Sequence, residues 1–142
     1  MGKQEQNNIN HIGIAVSSLN ESLPFYVDHL NLKLEGIEEV PSQGVKVAFL
    51  KVGETKIELL EPLSTDSTIA KIIKKRGEGI HHIALGVSNI KERIDHLKAS
   101  GIQMIHNEPI KGAGEMKAAF LHPKTAGGIL YELCEKTKEL NK

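Results

Sequence analysis

The chain is written twice, and this duplication limits its possible folds more than any other feature. Ile9-Asn10-His11-Ile12, running on to Val16-Ser17, matches Ile80-His81-His82-Ile83, running on to Val87-Ser88, at an offset of 71 positions. Ala48-Phe49-Leu50 falls on Ala119-Phe120-Leu121 at the same offset, and Lys46 falls on Lys117. Ile57-Glu58-Leu59 then returns as Tyr131-Glu132-Leu133 at an offset of 74, so the second copy carries three extra residues. The insertion lies in the Pro/Gly-rich stretch His122–Gly128, opposite Lys51–Thr55, where a turn tolerates added length. A register kept this far marks two similar modules. With 142 residues the two copies have enough chain for one substantial core, so a single domain over 9–142 is expected.

Each copy reads as a strand, a helix and three further strands. In residues 9–16 the alternation puts Ile12, Ile14 and Val16 on one strand face and His11 and Ala15 on the other. Residues 19–30 carry Leu19, Leu23, Val27 and Leu30 at helical spacing, with Ser18 or Asn20 as cap, although Pro24 removes one helix hydrogen bond. Strands are expected near 33–40, 45–51 and 55–61, which closes module one at about residue 62. Thr65-Asp66-Ser67 caps a connecting helix, about 66–76, that carries Ile69, Ile72 and Ile73 and stops at Gly77. Module two, about 79–135, repeats the pattern. Its first strand is at 80–87, a helix capped by Ser88 carries Ile90, Ile94 and Leu97, and strands follow near 102–106, 115–121 and 128–134. The fold class is α+β, with two tandem βαβββ modules.

Composition closes off several functions. Lys plus Arg (18) equals Asp plus Glu (18), which excludes the broad basic face of a general nucleic-acid binder. The one cysteine, Cys134, has no partner for an internal disulfide or a C-x-x-C metal pair, and this suits a reducing cytoplasm. Cys134 is read as a small packed apolar residue. Residues 1–8 are polar and are expected to be a flexible tail without a targeting signal; no run approaches the roughly 18 apolar residues of a membrane span.

The repeat superimposes His11 on His82 and Glu58 on Glu132. Two imidazoles and two carboxylates at equivalent points of two modules make one candidate site if the modules pair about a pseudo-twofold axis. Mixed nitrogen and oxygen donors suit a divalent transition ion such as cobalt, manganese, nickel or zinc, and the set does not select among them. Four protein ligands on an octahedral ion leave two positions open, enough to chelate a substrate through two oxygens. Glu58 and Glu132 also lie inside apolar strands, where a buried carboxylate needs a partner that a cation supplies. His81 corresponds to Asn10 and points to the other strand face, so it reads as a surface or turn residue. His29, His96 and His106 lack counterparts and are expected to be solvated. Gly112-Ala113-Gly114 reads as a flexible loop, and Lys71, Lys74, Lys75 and Arg76 as a helix's wet face and favourable end charge.

Taken together, NHIGIAV (10–16), QGVKVAFL (43–50), IELLEP (57–62), STDSTIAKII (64–73), GIHHIALGV (79–87) and FLHPKTAGGILYEL (120–133) resemble the methylmalonyl-CoA epimerases of the vicinal oxygen chelate (glyoxalase-like) superfamily. The likeness covers roughly residues 9–135. It implies a curved eight-stranded mixed sheet, a homodimer and a divalent ion in the concavity. The family's metal-binding histidines fall on His11 and His82, its C-terminal metal-binding glutamate on Glu132 and its remaining ligand on Glu58. The implied reaction interconverts (2R)- and (2S)-methylmalonyl-CoA by abstracting the proton alpha to the thioester, through a metal-stabilised enolate. For that reaction Glu132 is taken as the first base, and Glu58, a metal-bound water or Gln43 as an orienting group are the candidates for the second step. The partner is then an acyl-CoA, and Lys71, Lys74, Lys75, Arg76 and Lys124 are candidates for its phosphates. In one respect the chain departs from the family. Some bacterial members carry a glutamate, proposed as a base, on the strand where this chain has Lys46-Val47-Ala48.

Other activities share the scaffold. A glyoxalase I also uses two histidines and two acidic ligands but acts on a thiol hemithioacetal. Ring-cleaving dioxygenases need only three ligands, which Glu58 opposes. A metal-free binding module would not need the four donors at all.

Overall fold

The computed structural model describes residues 8–137. Most of the expected tail, residues 1–8, lies outside the described residues. Asn8 is the exception, because it already opens the first strand. By contacts the chain divides into two compact units, one of His11–His81, the other of His82 onward with the opening residues of the first strand.

In the first unit the order is β1 (Asn8–Ala15), α1 (Leu19–Pro24), β2 (Lys33–Val40), β3 (Val45–Val52), β4 (Thr55–Pro62) and α2 (Thr68–Arg76). Its strands lie in the order β2-β3-β4-β1, antiparallel except for the parallel pair β1 and β4. Ser18 caps α1 by accepting the Glu21 N–H at 3.2 Å, and Ser67 caps α2 by accepting the Ala70 N–H at 3.1 Å. The helix expected over 19–30 is interrupted, as the missing N–H of Pro24 foreshadows. The α-helix ends at Pro24 and a π-helical turn, Phe25–His29, follows, closed by the Leu30 N–H on the Phe25 carbonyl at 3.0 Å.

The second unit repeats the plan with β5 (Gly79–Gly86), α3 (Ile90–Ala99), β6 (Ile110–Lys111), β7 (Met116–Phe120) and β8 (Tyr131–Lys136). Its order is β5-β8-β7-β6, with β5 and β8 parallel. The registers are those of the first unit: Gly13 faces Glu58 as Ala84 faces Glu132, and Phe49 faces Glu58 as Phe120 faces Glu132. The cores correspond as well. Val16, Leu19, Ala48 and Leu59, with Ile14 and Leu23 against them, answer to Val87, Ile90, Ala119 and Leu133, with Leu85 and Ile94. The fold is α+β, with two βαβββ modules and eight strands of mixed direction.

Three expectations for the second module need correction. The strand expected at 102–106 is reduced to a single bridge between Met104 and Leu121, and β6 forms later, past Pro109. The strand expected from 128 begins at Tyr131. A 3-10 turn, Pro123–Ala126, and left-handed Gly127 and Gly128 occupy the preceding residues. Ser88 does not cap α3. The cap position is Asn89, itself left-handed and without a side-chain cap bond, and the Glu135 carboxylate accepts the N–H groups of Asn89 and Ile90, each at 2.9 Å. Among the described residues no helix is long and apolar enough to cross a membrane.

Candidate functional site

Each unit builds one buried imidazole–carboxylate pair in the same way. In the first, His11 on β1 pairs in register with Lys56, so the residue on its own face two positions along β4 is Glu58. The His11 Nδ1 lies 3.4 Å from the Glu58 Oε2, with 4% and 6% of the two residues exposed. In the second, His82 on β5 and Glu132 on β8 take the same diagonal. The His82 Nε2 is 2.9 Å from the Glu132 Oε1, at 5% and 6% exposure. These four are the buried polar and charged side chains of the described residues. The strand face carrying His11, Gly13 and Ala15 is more buried than the one carrying Ile12 and Ile14, the reverse of what an ordinary half-buried strand would show.

The pairs tolerate burial because each carboxylate has a nitrogen partner; an isolated carboxylate there would cost several kcal/mol. Such a pair is held either by a proton between its members or by a cation to which both donors turn. Neutral imidazoles with carboxylates are a donor set for divalent transition ions, so the residues present fit such an ion. His11, His82 and Glu132 each offer a buried donor atom of the required type.

Around Glu132 the second unit adds residues that the sequence pattern does not place at the site. The Phe120 ring meets His82 edge-on, with centroids 5.4 Å apart and planes at 83°. Gly112 lies so close that a β-carbon on it would stand 3.2 Å from the Ala118 Cβ and 4.0 Å from Glu132 Oε2. Its φ of −111° is open to any residue, so space rather than backbone freedom calls for glycine here. His106, expected to be solvated, is half-buried, and its Nδ1 accepts the Phe120 N–H at 3.1 Å. Burial lowers its pKa below the ordinary 6.5, and the Glu132 charge acts in the opposite sense. His106 has no equivalent imidazole in the first copy, where position 35 is Glu35, so the repeat gave no signal for it.

The remaining candidates stand as follows. His29 and His96 are exposed, and His81 is half-buried. Cys134 is fully buried, with its thiol 3.6 Å from the Leu85 carbonyl, and is packed as expected. Lys71, Lys74, Lys75, Arg76 and Lys124 are exposed. On β3, Val47 is buried on the Glu58 face, and the stretch Lys46-Val47-Ala48 brings no carboxylate to it. The repeat carries one further signal. Glu61 and Glu135 stand three residues after Glu58 and Glu132, and each caps the helix of its own module, Glu61 by accepting the Leu19 N–H at 2.7 Å.

Comparison with known proteins agrees with this geometry. Residues 10–120 match the family model of the Glyoxalase/Bleomycin resistance protein/Dioxygenase superfamily. The mitochondrial methylmalonyl-CoA epimerase of Homo sapiens is 40% identical over 88% of this chain and 72% of its own length. Among solved structures, hypothetical protein BH1468 from Bacillus halodurans C-125 is 61% identical with a TM-score of 0.92, covering 94% of this chain and 97% of that one. Methylmalonyl-CoA epimerase from Mycobacterium tuberculosis is 36% identical with a TM-score of 0.89, covering 94% and 90%. The chain belongs to the Glyoxalase/Bleomycin resistance protein/Dioxygenase superfamily and, within it, to the methylmalonyl-CoA epimerase family.

Proposed function

We propose that His11, Glu58, His82 and Glu132 together hold one divalent metal ion, and that the protein epimerises methylmalonyl-CoA beside it. One observation carries this reading: the same buried imidazole–carboxylate pair is built twice at equivalent strand registers, in a chain of the epimerase family. When bound, the ion supplies a Lewis acid for the negative charge that builds on the thioester oxygen, and a template for the malonyl carboxylate.

The chain's own residues handle the proton. The carbon between thioester and carboxylate is acidic, and Glu132 accepts its proton at a carboxylate oxygen. Phe120 against His82 and the burial of the pair keep bulk water from that oxygen. Gly112, with no side chain, borders the Glu132 carboxylate on the side proposed for the substrate. The return proton must reach the opposite face of the carbon. With Lys46-Val47-Ala48 lacking an acid, Glu58 or a water is its source. The exposed Lys71, Lys74, Lys75, Arg76 and Lys124 are proposed contacts for coenzyme A phosphates. On the same reading the enzyme is a cytoplasmic homodimer with neither nucleic acid nor membrane as partner; its balanced charge supports the absence of a nucleic-acid partner, and its single thiol a reducing compartment.

The test follows solvent deuterium into the alpha position of methylmalonyl-CoA. The wild-type protein exchanges that hydrogen and loses the activity to a chelator. Glu132→Gln loses roughly 10²–10⁴-fold in rate while keeping its fold. Full exchange by Glu132→Gln would remove Glu132 as the base. Turnover of a methylglyoxal–thiol adduct instead would assign a glyoxalase, and activity on neither substrate with no bound metal would leave a binding module.

A further inference from the structure

In the second module the strand beside β7 is cut to two residues, and a histidine side chain takes over one of the hydrogen bonds that a longer strand would make. In the first unit Phe49 pairs in register with Gly36 of β2. Its counterpart Phe120 has no such strand beside it, because β6 reaches only as far as Ala118 and Lys117. The Phe120 carbonyl instead accepts the N–H groups of Ile105 at 2.8 Å and His106 at 3.4 Å, while the Phe120 N–H donates to the Nδ1 of His106 at 3.1 Å. This bond fixes the tautomer: an Nδ1 that accepts is unprotonated, so the proton sits on Nε2. It also sets the imidazole against the Phe120 ring, with centroids 5.7 Å apart and planes at 55°. Phe120 is therefore flanked by two imidazoles, and the second of these, His82, is the one bonded to Glu132.

We propose that His106 is a positioning residue that clamps Phe120 and thereby fixes the ring of His82. The loop of residues 102–109 thus reaches the reaction site through one aromatic side chain. What this predicts for metal rests on reading His82 as a ligand; what it predicts for the ring does not. Partners that orient a ligating imidazole typically change metal affinity 10- to 100-fold when lost.

The experiment has two readouts. In metal-free protein, the His82 ring-proton resonances are followed by NMR. His106→Ala should displace them, as Phe120→Leu should, and should cause no further change in the Phe120→Leu background. His106→Asn keeps an acceptor for the Phe120 N–H and should restore the wild-type shifts, and it remains informative if His106→Ala does not fold. In parallel, titration with Mn²⁺ alone should show about tenfold weaker binding by His106→Ala and recovery in His106→Asn. Unchanged His82 resonances in a folded His106→Ala protein would overturn the proposal, as would an effect undiminished by Phe120→Leu or an Asn variant as impaired as Ala. Absence of Mn²⁺ binding by the wild type would defeat the metal reading, while the ring resonances still decide the clamp.

Discussion

Replacing Glu135 by alanine tests whether the second copy's last strand holds its helix in place. The Glu135 carboxylate accepts the N–H groups of Asn89 and Ile90, each at 2.9 Å, at the start of α3, where Asn89 offers no side-chain cap of its own. The Asn89 bond is exposed and water can replace it, so its loss costs little. The Ile90 amide is partly buried, and Ile90 itself is 1% exposed, so its N–H is left without an acceptor at about 1–3 kcal/mol. Loss of negative charge from the helix N-terminus adds about 0.3–1 kcal/mol. The alanine variant should therefore lose about 2–3 kcal/mol, and the glutamine variant about half of that, because its amide oxygen still accepts one bond. For a chain of this length the alanine variant's melting temperature should fall by about 5–10 °C. Urea unfolding followed by far-UV circular dichroism, with an unchanged slope against denaturant, measures the loss directly. A loss below about 0.5 kcal/mol, the level of an ordinary surface substitution, would refute the assignment of this carboxylate as the cap.

Further outcomes are expected elsewhere. Gly112→Ala should fold with at most about 1–2 kcal/mol of strain from Ala118 yet lose roughly tenfold or more in epimerase kcat/KM, because its methyl, in van der Waals contact with Glu132, would occupy space proposed for the substrate; unchanged kinetics would contradict the proposed substrate position. His106 has a folded pKa below its ordinary 6.5, so its stabilising contribution is complete above that value and is lost as pH falls from it through the folded value. The stability gap between wild type and His106→Gln should accordingly narrow in acid, and a gap that widens there would reverse the assignment. Ile94 is fully buried in the second core, so Ile94→Ala should cost about 2–5 kcal/mol in urea unfolding, and a cost under about 1 kcal/mol would mean that the site collapses freely. Adding a divalent ion at a hundredfold its dissociation constant should raise stability by about 2.7 kcal/mol, and Glu58→Gln should weaken that response if Glu58 is the fourth ligand.

The duplication makes most of this protein readable. Because strand registers follow side-chain alternation, a repeat kept in phase fixes which residues face each other. His11, Glu58, His82 and Glu132 therefore stand out from the repeat, as do the two βαβββ modules, while the cap of α2 is legible only as the local run Thr65-Asp66-Ser67, of which Ser67 makes the bond. The repeat fails where the copies differ. A strand at 102–106 is reasonable by analogy with 33–40, yet the stretch runs into Asn107-Glu108-Pro109, and β6 starts only at Ile110. Hydrophobic patterning cannot register that loss, because the apolar residues Ile102, Met104 and Ile105 remain.

Local pattern reports which residues recur and with what period, so it determined the modules and the family and singled out four candidate donors. It carries no information on a bond between a side chain and a backbone group far along the chain. Only the tertiary structure could give one hydrogen bond of a shortened strand to the His106 ring, set Gly112 against Ala118 beside Glu132, or pass the capping of α3 from Ser88 to Glu135. All three depend on distances between residues 6 to 46 positions apart, and those distances are set by packing.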